Sequence, residues 1–396
     1  MSHAAQSQAA ALSQPSPGPL AEFLVGRPFI EAPTLLPGVL LAGAVVALAI
    51  LSADTLNTAF GYKGLVSYIM MAIVLGIIFG NVVTVPRACA PGLEFCLTKL
   101  LRVGIILMGF RMSLLDAARI GVWGIPIIVI CISTGLITSA YFTRLLKLPE
   151  RLGTLLAVGT SICGATAIVA TAPAIQADEQ EVAYAVANIT VFGILAMLLY
   201  PYLAHLLFDG NAIMAGLFQG TAIHETAQVT GAALIYDQTF AAAGKPTAGD
   251  IAIVTKLVRN VFIAGVVPLA AWAYARRTRV KGASGQRVSA WRLFPLFILG
   301  FIAMAALRSI GDAGVSHSGM ALDRWSATQW THAIATVSDG AGYALAMSMA
   351  AVGVNTRLAT LKGLGVKPFY AGLVTAVVVG IASTAAVFLL GRYVTI

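Results

Sequence analysis

The stretch GTAIHETAQVTG, residues 220–231, sets His224, Glu225 and Gln228 inside a strongly apolar run. Ionisable side chains at membrane depth cost about 2.5–3.5 kcal/mol each on insertion scales, so they mark a protein interior or a water-filled path rather than a lipid-facing surface. A second segment, GTSICGATAIVATAP (159–173), precedes it and is rich in Gly, Ser and Thr. Together the two read as the substrate-binding centre of a transporter.

The surrounding composition sets the class. Of 396 residues, 59% are hydrophobic and only 10% charged, and the mean hydropathy is +0.88. Soluble domains carry about 25% charged residues. This chain cannot cover a globular surface with so few, and reads as an all-α polytopic membrane protein. The net charge is +9, but the basic residues cluster in short loops, where they set orientation. Nucleic acid is therefore not an expected partner; the lipid bilayer is.

A window of about 20 apolar residues gives about eleven spans, near 36–53, 65–84, 95–113, 122–144, 153–175, 182–208, 213–235, 250–275, 291–309, 329–354 and 367–391. Arg144, Lys147 and Arg151 follow the fourth, and Arg276, Arg277, Arg279, Lys281, Arg287 and Arg292 follow the eighth. Both loops are expected on the cytoplasmic side. Four spans lie between them, so the two assignments agree. Asp178, Glu179 and Glu181 occupy a loop with no basic residue and fall outside on this count. The chain then starts inside and ends outside, unless a segment is re-entrant. Residues 1–35 are Ala-, Ser- and Pro-rich and read as a disordered cytoplasmic tail rather than a cleaved signal peptide. Residues 36–396 form the transmembrane domain. The cysteines Cys89, Cys96, Cys131 and Cys163 match no metal or redox spacing and read as small buried hydrophobes, with Cys163 set apart by its place in the Gly-Thr segment.

Two internal similarities conflict. GFRMSLLDAARIG (109–121) matches GVNTRLATLKGLG (353–365) at Gly109/Gly353, Leu114/Leu358 and Gly121/Gly365. Seven spans separate them, which makes this an inverted repeat. GTSI (159–162) matches GTAI (220–223), followed by Asn188/Asn260 and Gly193/Gly265, yet by the span count these copies run parallel. Either one segment is re-entrant or one similarity is chance.

The chemistry sits in a few places. In 159–173, Gly159, Gly164 and Pro173 weaken helix continuity, beside the hydroxyls of Thr154, Thr160, Ser161, Thr166 and Thr171. Irregular backbone at membrane depth needs protein or a wet cavity around it, and a helix N-terminus exposed there suits an anion. The bland alternative is close helix packing through small residues. In 220–228, Glu225 and Gln228 share a helix face, and His224 changes charge near neutral pH, so the pair can carry a proton. Lys256 and Arg259, three positions apart in TKLVRN, either snorkel to a membrane interface or face inward to neutralise Glu225 or an oxyanion. Arg111 and Arg357 read as span-end anchors. Ser338 and Asp339, in VSDGAGYALAMSM (337–349), form a further polar, Gly-broken spot. There is no nucleotide-binding loop and no metal-ligand spacing, so no ATP drive, metal or cofactor is expected. No nucleophile–base set can be assembled, so an enzyme is not expected either.

The segments GTSICGATAIVATAP, GTAIHETAQV and KLVRN, with the closing AAVGVNTRLATLKGLGVKPFYAGL, resemble the YeiH family (UPF0324) of bacterial inner-membrane proteins, labelled sulfate exporters. The resemblance covers essentially residues 35–396. It implies kinship with the cation/proton antiporter and bile-acid-transporter-like superfamily, with inverted repeats and broken crossing helices. The family pattern falls on Ser161, Ile162, Cys163 and Gly164 in the first segment and on His224, Glu225, Ala227 and Gln228 in the second. Its basic pair falls on Lys256 and Arg259, and Thr226 stands where an aliphatic residue is usual.

The expectation is thus a secondary transporter of a small anion, sulfate or sulfonate-derived, in the inner membrane. Substrate binding is assigned to Thr160, Ser161, Cys163, Gly164, Thr166, Thr221, Gln228, Lys256 and Arg259. His224 and Glu225 are assigned to proton coupling, with H⁺ or Na⁺ as coupling ion, and a homodimer is an allowed assembly. Two alternatives remain open: a cation/proton antiporter using Glu225 or Asp339, and a non-transporting sensor or assembly subunit.

Overall fold

The computed structural model describes residues 29–61, 66–240, 246–278, 295–356 and 366–394. Most of residues 1–35, the basic residues Arg279, Lys281, Arg287 and Arg292, and Arg357 with the rest of 357–365 lie outside these. Nearly all the described chain is helical: α1 (Leu36–Phe60), α2 (Tyr68–Val82), α3 (Ala90–Phe95), α4 (Leu101–Met108), α5 (Leu114–Leu145), α6 (Glu150–Ser161), α7 (Ala165–Ile175), α8 (Glu179–Leu207), α9 (Ala212–Ala222), α10 (Thr226–Phe240), α11 (Ala248–Val261), α12 (Ile263–Thr278), α13 (Phe297–Ser318), α14 (Ala327–Asn355) and α15 (Val366–Leu390). A π turn at Cys96–Leu100 joins α3 to α4. A two-stranded ribbon, β1 (Met320–Ala321) with β2 (Trp325–Ser326), links α13 to α14.

Among the described residues six helices are long and apolar enough to cross a membrane, and α11 with α12, bent by 44°, makes a seventh where the pair is taken as one span. Large apolar side chains point outward, as a lipid-facing surface requires: Leu40, Leu51, Ile137, Leu199 and Ile381 are all exposed. The helix starts follow ordinary capping chemistry. Ser113 caps α5, Thr247 and Asp250 form a capping box on α11, and Ser326 with Gln329 does the same for α14.

The expected spans at 153–175 and 213–235 are each two short helices that double back. Straight, Glu150–Ile175 would extend about 39 Å at 1.5 Å per residue. Instead Arg151 Nη1 lies 3.5 Å from Asp178 Oδ2, and Leu152, Leu155 and Leu156 of α6 share one apolar cluster with Ile168, Ala172 and Ile175 of α7. Helices α9 and α10 behave likewise. The α9 helix starts just after α8 ends, and the last residue of α10, Phe240, stacks on His205 near that same end, with ring centroids 3.9 Å apart. Both segments are re-entrant hairpins. Because α8 crosses between them, they enter from opposite faces.

This topology corrects two expectations and reconciles two others. Asp178, Glu179 and Glu181 lie on the same side as Arg144, Lys147 and Arg151, not the opposite one. Acidic residues carry little orientation signal, and here Asp178 and Glu181 are occupied in the capping box of α8. The GTSI and GTAI copies sit in hairpins of opposite direction, so this repeat is inverted like the other and the conflict disappears. The basic loops after α5 and α12 still share a side, since α8 and the α11–α12 pair separate them.

The helices form two bundles. One holds α1–α4, α13 and α14. Its tightest seam joins α2 to α14, where a Cβ on Gly80 would stand 2.1 Å from the Val354 carbonyl oxygen, so only glycine permits that approach. The other holds α5–α12 and α15. The bundles meet mainly along α10, which packs on α2 and α14, and where α5 starts beside α13. A third correction concerns 337–349: the helix runs unbroken through Gly340 and Gly342, Ser338 Oγ donates to Ile334 O at 2.7 Å, and Asp339 is exposed.

Candidate functional site

The hairpin tips meet in the middle of the second bundle. In the first tip, Ile162 leaves helical geometry (φ −124°, ψ −91°) and Gly164 adopts φ +67°, ψ −124°, a conformation closed to side chains with a Cβ. The second tip contains neither Gly nor Pro at 221–227. There Ile223 is extended (ψ 138°), and the carbonyls the helix releases are claimed by two cations.

Those cations are Lys256 and Arg259, one turn apart on α11 and both fully buried. The structure thus decides between the two readings of TKLVRN: neither residue snorkels. Lys256 Nζ donates to Ile162 O (2.8 Å), Ile223 O (3.1 Å) and His224 O. Arg259 donates through Nε to Ser161 O (3.0 Å), through Nη2 to Thr160 O (2.9 Å), and through Nη1 to Thr221 O and Ile223 O (3.2 Å). Every acceptor lies at the C-terminal end of α6 or α9, or in the tip just beyond, where helix carbonyls lack intrahelical partners and the dipole is negative. The pair is therefore a double C-cap holding both hairpins. Among the described residues no carboxylate forms an ion pair with either cation. Both cations are engaged by main-chain carbonyls in the structure, neither forms an ion pair with Glu225 among the described residues, and their charge stays at the tips.

Two of the hydroxyls expected to bind substrate already have partners in the protein. Thr160 Oγ1 donates to Leu156 O at 2.8 Å. Thr221 Oγ1 donates to Leu217 O at 2.7 Å and bonds Ser383 Oγ of α15 at 2.7 Å. Both are engaged within the protein. The groups left over are Ser161 Oγ, His224 Nδ1, Gln228 Oε1 and Asn260 Oδ1, all buried without a partner. Buried polar atoms are rarely orphaned unless a water or ligand serves them. Gln228 lies across Gly193, where a Cβ would sit 1.7 Å from Oε1, and its Nε2 donates to Thr190 O of α8 at 3.2 Å. Asn260 Nδ2 donates to Thr226 Oγ1, on the first residue of α10, at 3.0 Å. Asn260 was legible in the sequence only as a repeat match. Ser383 and Thr190 carried no signal.

The positive helix ends are less enclosed. Gly164 and Glu225 directly precede α7 and α10, and their backbones approach closely: a Cβ on Gly164 would stand 3.3 Å from the Glu225 Cβ. Thr166 is exposed, Glu225 and Thr226 are half-buried, and Cys163 is a buried free thiol. The tips thus combine two buried, capped C-termini with two more accessible N-termini.

Arg111 is more than a span-end anchor. Its Nε lies 3.2 Å from Asp250 Oδ1, and its Nη2 lies 3.7 Å from Asp237 Oδ2 and 3.2 Å from Thr247 Oγ1. The cluster ties the end of α4, in the first bundle, to α10 and α11 in the second.

Residues 37–372 match the family described as Conserved hypothetical protein 698. Among similar proteins are UPF0324 membrane proteins of Bacillus cereus (32% identical; 83% of this chain and 89% of the relative), Yersinia pestis (31%; 85% and 88%) and Pseudomonas aeruginosa (32%; 86% and 90%). The chain belongs to the UPF0324 family. UPF0324 relatives are named membrane proteins, in agreement with the helices described above.

Proposed function

We propose that this UPF0324 protein is a secondary transporter of a small oxyanion, with sulfate or a sulfonate as first candidates. One observation carries the reading: two re-entrant hairpins from opposite faces meet at buried cations inside one bundle. Backbone broken at membrane depth belongs beside a substrate path. Two cations and two helix N-termini stand against two helix C-termini and the single carboxylate of Glu225, a balance that favours an anion over a cation. The first bundle serves as scaffold and the hairpin bundle carries the site. The loops with Arg144, Lys147, Arg151, Arg276 and Arg277 support a cytoplasmic N-terminus, and the inner membrane is the compartment proposed.

The test is flux of radiolabelled sulfate, and separately of ethanesulfonate, in proteoliposomes with and without a pH gradient. Wild type is expected to exceed empty vesicles, and Lys256→Ala to fall to their level. Wild-type flux equal to empty vesicles for both anions overturns the reading.

A further inference from the structure

We infer that a cleft between α5, α6 and α12 holds one acyl chain of an anionic phospholipid from the surrounding bilayer, with the headgroup phosphate at Arg276 and Arg277. This site lies outside the hairpin tips and does not depend on what is transported.

The cleft is apolar and opens sideways. Its wall is built from Leu136 and Ala140 of α5, Ala157 of α6, and Val266, Leu269 and Ala273 of α12. Thr143 and Thr154 also line it, but their hydroxyl protons are already engaged: Thr143 Oγ1 donates to Ser139 O and Thr154 Oγ1 to Glu150 O, each at 2.7 Å. Leu269 is exposed, and so are Ile137, Tyr141 and Trp272, each next in sequence to a wall residue. The cleft therefore lies on the lipid-facing surface. At about 150 Å³ it is smaller than the roughly 300–1,000 Å³ of a pocket for a soluble small molecule. It suits a narrow hydrocarbon chain.

The length fits as well. From Arg277 to Val266 the wall runs about 16 Å along α12, at about 1.5 Å per residue. That is half of the roughly 30 Å hydrocarbon thickness of a bilayer. One end lies at headgroup depth and the other near mid-membrane, which is the path of one acyl chain in one leaflet.

The mouth supplies the charge. Arg276 and Arg277 lie in the last turn of α12 and are exposed. Arg277 Nη1 is 4.0 Å from Oε2 of Glu150, the carboxylate in the lining, at the limit of an ion pair. The Arg276 guanidinium sits 5.4 Å from the ring centroid of Trp272, and an exposed Trp is an anchor at the membrane interface. Arg151 is engaged elsewhere: Nε donates to the Tyr274 hydroxyl at 3.4 Å, and Nη1 pairs with Asp178. Arg144 and Lys147, just past the cleft on α5 and in the turn after it, are exposed. Asp178, Glu179 and Glu181 do not line the cleft, and Asp178 and Glu181 are held in the capping box of α8. Arg144, Lys147, Arg276 and Arg277 against Glu150 leave the mouth positive, and basic side chains at the end of a spanning helix attract anionic headgroups. A chain seated in the cleft packs on α6, one turn before Ser161, and so braces the arm that carries the first tip.

The experiment is native mass spectrometry of the purified full chain in detergent with added dioleoyl phosphatidylglycerol or dioleoyl phosphatidylcholine, followed by thermal shift with the same lipids and with sodium phosphate. Wild type is expected to retain phosphatidylglycerol at about tenfold lower concentration than phosphatidylcholine, as two basic residues at a headgroup imply. Phosphatidylglycerol should raise the melting temperature and sodium phosphate should not. Arg276→Gln combined with Arg277→Gln should abolish the preference. Arg119→Gln combined with Arg392→Gln, which removes the same charge from exposed positions at the start of α5 and just after α15, should keep it. Ala273→Leu, which fills the cleft, should weaken retention of phosphatidylglycerol. Equal retention of both lipids by wild type overturns the inference, as does a preference that survives the loss of Arg276 and Arg277 or falls equally with Arg119 and Arg392. Retention unchanged by Ala273→Leu, or an equal thermal response to sodium phosphate, overturns it too. All of these outcomes leave the transporter reading intact.

Discussion

Arg151 and Asp178 form an ion pair at 3.5 Å across a segment long enough to cross a bilayer. That contact makes 150–178 a hairpin, and the sidedness of the chain follows from it. In protein with Cys89, Cys96, Cys131 and Cys163 replaced, Asp178→Cys and Arg277→Cys should react with a membrane-impermeant maleimide from one face, and Asp209→Cys from the other. Labelling of positions 178 and 277 from opposite faces would refute the hairpin.

The double cap predicts a stability cost independent of transport. Lys256→Met leaves Ile162 O and His224 O unpaired, at about 1–3 kcal/mol each, so a loss of roughly 2–6 kcal/mol is expected by denaturation in detergent. Arg259→Lys should cost a similar amount, because the three donors of one ammonium cannot replace the four hydrogen bonds that the planar fork makes through Nε, Nη1 and Nη2. A change under about 0.5 kcal/mol, the level of an ordinary surface substitution, would mean that the cap is not structural.

Gly164 and Gly265 give a contrast. At Gly164 a side chain meets φ +67° and the Glu225 Cβ at 3.3 Å, whereas a Cβ on Gly265 finds no atom within 4 Å. Gly164→Ala should lose about 1–3 kcal/mol together with transport. Gly265→Ala should be neutral or slightly stabilising in both measurements.

Much of this was legible in the sequence. Apolar runs located the helices, and the cost of burying charge singled out His224, Glu225, Lys256 and Arg259. The partners of Lys256 and Arg259 were not legible, because they are main-chain carbonyls and every residue carries one. The re-entrant turns were hidden for a related reason. A 20-residue apolar run has the same composition whether it crosses or returns, and only the inversion demanded by the GTSI/GTAI repeat hinted at the difference. The tie from Arg111 to Asp237 and Asp250 was missed because its carboxylates lie far along the chain, at the end of one helix and the start of another.

That tie makes a further prediction. Arg111→Gln leaves Asp237 and Asp250 facing each other without their cation, and should destabilise the protein by roughly 2–4 kcal/mol, near the cost of breaking a buried ion pair. Because the cluster fastens the two bundles, the substitution should also increase amide hydrogen exchange in α10. Unchanged exchange there would show that α2 and α14 alone hold that helix.

Arg259 grips Thr160 and Ser161 of one hairpin and Thr221 of the other with a single planar group. Neither arm can therefore swing outward alone without stripping a buried cation of its acceptors. The two are yoked. On the carrier reading proposed above they would move as one body, and with no independently opening doors such a carrier would resist leaking.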